Sequence, residues 1–316
     1  MIRWSRALIP GLTLAGILLS FALLRLDACI QAHGGSTNRS RSQNQHDGHA
    51  SPTRIVPGSP ALTEIVFALG QGHRVAAVGD DAHFPPQISS IPRVGSLYNP
   101  NLERLALLHP DLILVQGRNE PLRQWAAREG VDFFSIGPLD SLHDLERAIM
   151  TVGDRLQARA AALTLRDTLK SRLDQVRQAV RHTRKIPVFV TFGRTPGNLN
   201  TLYTCGPGSF LDDLIEVAGG HNVFHDATGA WPVISKETLL RREPEVILEL
   251  HASELLEDTR RRLDQDWASL PSLPAVVHHR IHHLAGDVYQ VPGPRVPEVA
   301  LAFARALHPE SFANDE

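Results

Sequence analysis

Two cysteines in 316 residues, Cys29 and Cys205, are too few for a disulfide framework, so the chain must hold together by other means. A strong charge of either sign is also missing. The formal net charge is −2, which removes the basic footprint expected of a nucleic-acid partner. Common catalytic signatures are absent too, with no GxSxG elbow, no GxxxxGK phosphate loop, no HExxH and no GxGxxG after a strand. Gly206-Pro207-Gly208-Ser209 has the local look of a catalytic loop, yet a turn leading into a helix cap at Ser209 accounts for it fully. Hydrophobic residues make up 42% of the chain, enough for sizeable cores and too many for a disordered protein.

The first fifty residues differ from the rest. Arg3 and Arg6 precede an uncharged apolar run from Ala7 to Leu24, which predicts a secretory signal or membrane anchor over residues 1–29. Leu26-Asp27-Ala28-Cys29 resembles the lipobox of bacterial lipoproteins, in which the cysteine becomes a lipid anchor, although Asp27 stands where a small residue is usual. Residues 30–53 form a polar stretch that reads as a flexible tether. Its histidines, His33, His46 and His49, read as parts of a solvated linker. Either reading of the leader places the remainder outside the cytoplasm.

From Arg54 onward short apolar runs alternate with amphipathic segments. RIVPG, RVAAVG, DLILVQG and DFFSIG predict strands with helices between them, the pattern of parallel βαβ units. Residues 157–182 contain no proline or glycine and keep helical spacing at Leu165, Leu169, Val176 and Val180, which predicts one helix of over six turns. A second α/β region follows, from PVFVTFG through a helix capped by Ser209 and ended by Gly219-Gly220. The expected architecture is α/β: two Rossmann-like lobes with parallel sheets, 54–140 and 185–309, bridged by a rigid helical segment over 141–184.

One unit occurs twice. NLERLALLHPDLILV at 101–115 and SKETLLRREPEVILE at 235–249 match at a constant offset. Asn101 and Ser235 are suited to cap helices, Glu103 and Glu237 fall in first turns where the helix dipole favours negative charge, and Pro110 and Pro244 stop the helices before buried strands. By spacing alone, each glutamate is a dipole-stabilising carboxylate.

Taken together, GSPALTEIVFALGQGHRVAAVG, HFPPQISSIPRVGSLYNPNLERLALLHPDLILVQG, GSFLDDLIEVAGGHNVF, WPVISKETLLRREPEVIL and AGDVYQVPGPRVPEVALAFARAL resemble the substrate-binding proteins of ABC importers. The likeness is to the group carrying cobalamin, iron-siderophores and haem, over about 54–309. It implies a receptor without enzymatic activity or resident cofactor, a chelate ligand between the lobes, and two permease subunits as partners. In that family the positions of Glu103 and Glu237 engage arginines of the permease, one contact per lobe, which suits charge-assisted docking. The resemblance also points to loops at the C-terminal strand ends for ligand contact. Tyr98, Arg118, Arg194, Trp231 and Arg295 are the candidates there, aromatics for a flat macrocycle and arginines for anionic groups. Cobalamin-binding relatives place tryptophans on first-lobe loops where Leu97 and Val115 stand here, while Trp231 keeps the second-lobe aromatic.

The competing reading is a receptor for a free transition-metal ion, such as zinc or manganese, which needs three or four ligands converging from both lobes. HHRIHH at 278–283, with His83 and His225, supplies candidates. His278 and His279 lie in a predicted turn, and His282 and His283 adjoin a strand and point to opposite faces. The cluster therefore reads as surface or edge-strand histidine, with no metal site expected.

Overall fold

The computed structural model describes residues 51–96 and 99–313. The expected leader, Cys29 and residues 30–50 of the expected tether lie outside them, as does Tyr98; the last three tether residues are corrected, since Thr53 bonds the Asp111 carboxylate and Ser51 accepts from Arg74, which fixes them to the folded body.

The first lobe is built on a parallel sheet of order β1-β4-β5, from Ile55–Pro57, Leu112–Val115 and Asp132–Ser135. Every residue of β1 and β4 is buried, because helices cover both faces, as parallel sheets require. The helices are α1 (Pro60–Ala68), α2 (Leu102–Leu108) and α3 (Glu120–Glu129), with the two-residue ladder of β2 (Gly95–Ser96) and β3 (Asn99–Pro100) before α2. RVAAVG does not form a regular strand. Val75 bridges Ile55 while Val78 bridges Arg93, so its two ends answer to different partners and no continuous ladder forms.

The helix predicted over 157–182 is α5 (Arg159–Ala179), and α4 (Leu142–Arg155) precedes it. Gln157 takes a left-handed conformation between them, φ 57°. Gly153 lets them close, since a Cβ there would stand 2.4 Å from the Cβ of Ala162. At about 1.5 Å per residue, the 21 residues of α5 span roughly 31 Å.

The second lobe carries β6 (Ile186–Phe192), β7 (Leu202–Thr204), β8 (Gly220–Asn222), β9 (Val233–Ile234), β10 (Val246–His251) and β11 (Ile281–Ala285). β11, β10, β6 and β8 are parallel, whereas β7 and β9 add an antiparallel edge, so this sheet is mixed. Around it lie α6 (Phe210–Val217), α7 (Lys236–Arg242), α8 (Glu257–Ala268), α9 (Pro274–Val277) and α10 (Val296–Leu307).

The repeated unit folds the same way twice. The Asn101 side chain accepts from the Arg104 amide at 2.9 Å and Ser235 from Thr238 at 3.4 Å. Both seven-residue helices end on a left-handed residue, His109 and Glu243, and bury the equivalent Leu105 and Leu239.

One apolar cluster runs from Ile55, Leu62 and Leu114 through Leu145, Leu169 and Leu173 to Val188, Phe210 and Phe303. The bridging helices thus share a core with both lobes. Each lobe keeps a second cluster on its other face, under α2 and α3 in the first and under α7 and α8 in the second.

Candidate functional site

Parallel strands deliver their loops to one end of each sheet. In the first lobe these are 58–59, 116–119 and 136–140; in the second they are 193–201, 223–232, 252–256 and 286–295.

Trp231 stands in the loop after β8. It packs against the rings of Phe192 at 5.9 Å and Phe210 at 6.0 Å, both tilted or edge-on, geometry favourable to aromatic contact. The indole is partly buried, so it is fixed by the core and still has an open side. Arg118 follows β4 and is exposed. No hydrogen bond or ion pair joins it to another described residue, which leaves its guanidinium available.

Arg194 is otherwise. Its side chain is 1% exposed, and it pairs with both oxygens of Glu249 and with Asp266 at 2.6 Å. The guanidinium also covers the Trp267 ring at 4.9 Å. The expectation that Arg194 meets a ligand is therefore corrected. The residue is an internal ion-pair partner, because β6 directs it beneath α8 and away from the loop ends.

Arg295 is committed as well. Its Nε and Nη2 donate to the Glu64 carboxylate at 3.1 and 2.6 Å, and Nη1 and Nη2 donate to Asp287. Phe84 lies under the guanidinium at 4.1 Å. Four donor contacts and a ring leave little to offer an anion, so the ligand-binding expectation for Arg295 is also corrected. Glu64 and Phe84 belong to the first lobe and Arg295 to the second, which makes the group a strut between lobes. Burial pushes the Glu64 carboxyl up from its ordinary value and Arg295 only partly offsets this. Burial lowers Arg295, but its two carboxylates more than compensate and raise it. The bidentate contact with Glu64 is the geometry of a formed ion pair.

Glu103 and Glu237 are both exposed in first turns. The Ser235 hydroxyl holds the Glu237 carboxyl below its usual range. On α2 the next turn carries Leu107, 77% exposed, so an apolar side chain stands beside the Glu103 carboxylate at helical spacing.

Ser209 is a buried cap: its hydroxyl accepts from the Asp212 amide and donates to the Gly206 carbonyl. Cys205 is buried and unpaired, and burial pushes its thiol up.

His83, His225, His278 and His279 are exposed, and they do not converge from two lobes. His225 is held by buried Asp212 at 2.8 Å. His283 lies on the edge strand β11, as read, but its side chain is turned inward and only 3% exposed. Among described residues the group able to hold an ion is Glu249, His251 and His283, all in the second lobe. The two-lobe metal receptor is therefore not favoured.

Sequence reasoning passed over Glu64, although a signal existed: it is the sole charge in the apolar helix PALTEIVFA. Phe84 had no comparable signal.

Two α/β lobes joined through a shared helical core are the architecture of the two-lobed binding proteins. The family described as periplasmic binding protein matches residues 55–287, and the chain belongs to it. The chain is 32% identical over 213 residues to a vitamin B12-binding protein of Photorhabdus laumondii, covering 66% of this chain and 74% of that one. The periplasmic haem-binding protein RhuT of Roseiflexus is 25% identical, with a TM-score of 0.65 over 80% of this chain and 98% of its own. BtuF of Vibrio cholerae, a periplasmic vitamin B12-binding protein, shares the fold at a TM-score of 0.67 and 23% identity, over 81% and 97% of the two chains. No helix among the described residues is long and apolar enough to cross a membrane.

Proposed function

We propose that this protein captures a metal-bearing chelate, of the cobalamin, haem or ferric-siderophore class, outside the cytoplasm and delivers it to an ABC permease. The observation that carries the reading is the duplicated unit: two capped helices, one per lobe, each presenting an exposed first-turn glutamate. A two-lobed protein seated across a two-subunit partner needs one contact per side, and carboxylate–arginine pairs orient such a surface. The names of the relatives, one for vitamin B12 and another for haem, support the ligand class. Trp231 offers a fixed flat face and Arg118 an uncommitted cation toward the ligand. Residues 1–29 act as signal or anchor, with Cys29 as the lipid attachment, and 30–50 as tether.

A thermal-shift panel of a corrinoid, haemin and ferric siderophores tests ligand capture, and stabilisation by none of them would overturn it. Glu103→Lys with Glu237→Lys is expected to abolish chelate uptake in cells while leaving affinity within a few fold. Loss of binding itself would refute the docking role.

A further inference from the structure

Glu249 and His251 leave β10 on the same face, and His283 stands opposite Glu249 in the register of β11. All three lie under α8. Their ligand atoms fall within 4.8 Å of one another. His251 Nε2 is 3.1 Å from His283 Nδ1, and that nitrogen is 3.9 Å from a Glu249 oxygen. Two nitrogens on a tetrahedral ion, each bonded at about 2.05 Å, stand about 3.3 Å apart, so the imidazoles are already close to ligand spacing. We propose that Glu249, His251 and His283 form a resident site for one divalent transition ion of the zinc class, within the second lobe.

Two further observations support the site. The other nitrogen of His283 donates to Asp264 at 2.8 Å. That carboxylate fixes the proton on Nε2 and leaves Nδ1 as the ligand atom, the orienting arrangement that metal-bound histidines use. Glu249 accepts from Arg194 on both oxygens and from the Trp267 indole at 2.6 Å. A carboxylate has about four lone-pair positions; Arg194 and Trp267 fill the two on Oε2 and Arg194 takes one on Oε1, so the position left for an ion is on Oε1.

Charge points the same way. Arg194 faces the carboxylates of Glu249 and Asp266, Asp264 adds a third through His283, and Arg260 is a second cation near His251, so negative charge still exceeds positive by one. A divalent cation would balance the excess. His251 is only half-buried, so water can complete the coordination. Imidazole and carboxylate donors suit zinc, cobalt and nickel better than calcium or magnesium. This ion is a fixed component of the lobe and is not cargo.

The test is a cobalt(II) titration of chelator-stripped protein. One equivalent should produce the visible bands of a tetrahedral nitrogen–oxygen site, and zinc should displace it. His251→Gln with His283→Gln should abolish the bands. Asp264→Asn, on the exposed side of α8, should weaken binding by roughly 10- to 100-fold with the melting profile retained. Absence of bands in the unsubstituted protein would overturn the proposal. Bands that survive in the double variant would overturn it too, by placing cobalt elsewhere, for example on His33, His46 and His49. Because the readout is the ion itself, chelate affinity is unchanged under either result.

Discussion

Replacing Arg295 with methionine removes the cation from a carboxylate that is 3% exposed in its side chain. Breaking a buried pair in this way costs about 3–5 kcal/mol, because the remaining charge is left unpaired. Arg295 itself is 13% exposed and Asp287 is 31% exposed, so water reaches one side and the lower end, about 3 kcal/mol, is expected. For a domain of this size that corresponds to a melting point lower by roughly 6–12 °C. The Phe84 contact contributes about 0.5 kcal/mol of it, at a partly exposed ring. Pairing Arg295→Met with Glu64→Gln removes both charges, and the double variant should recover most of the loss, since an isosteric neutral pair leaves no buried ion. Thermal melts of the four proteins give the coupling directly, and chelate affinity is measured on the same samples. A strut predicts a large coupling with affinity reduced by a few fold at most. If Arg295→Met melted within a degree or two of the parent yet lost the chelate, Arg295 would be a ligand grip and the strut would be wrong.

Trp231→Ala is expected to weaken chelate binding by about tenfold or more, from lost aromatic contact of about 1.5 kcal/mol, read by titration; an unchanged affinity would remove Trp231 from the cleft. The shared core through α4 and α5 predicts that small-angle scattering with and without ligand gives nearly superposable curves, and a large closure would contradict it. Asp111 resists burial's upward push by accepting from the Thr53 and Arg54 amides, which hold its carboxyl below the ordinary 3.8. A depressed carboxyl stabilises the fold above its unfolded value and that contribution is lost as pH falls through the folded one. Amide exchange at Thr53 and Arg54 should therefore quicken below about pH 3.8 relative to neighbouring amides; no such change would refute the clamp.

What the sequence determined by itself was local and periodic. The capped helices of the repeat, the stopping prolines, the buried four-residue strands and the long helical bridge all follow from residues within a turn or two of one another. Such short-range rules act before any distant partner is known. They placed Glu103 and Glu237 on equivalent exposed first turns, and they located Trp231 in a loop. The close packing of the two bridging helices at Gly153 and Ala162 was not visible, because it depends on how the chain turns back at Gln157.

The fate of the arginines was decided only in three dimensions. Arg118, Arg194 and Arg295 look alike in sequence, each just beyond a strand or in a proline-rich turn. Arg194 finds Glu249 and Asp266, 55 and 72 residues away, and Arg295 finds Glu64, 231 residues away. Long-range pairing consumes their donors, while Arg118 keeps its own. The histidines show the same division. Alternation correctly put His282 and His283 on opposite faces, but only the register of β11 against β10, together with α8 above, brought His283 to Glu249, His251 and Asp264. Periodicity sets which way a side chain points; packing between distant segments sets what it meets.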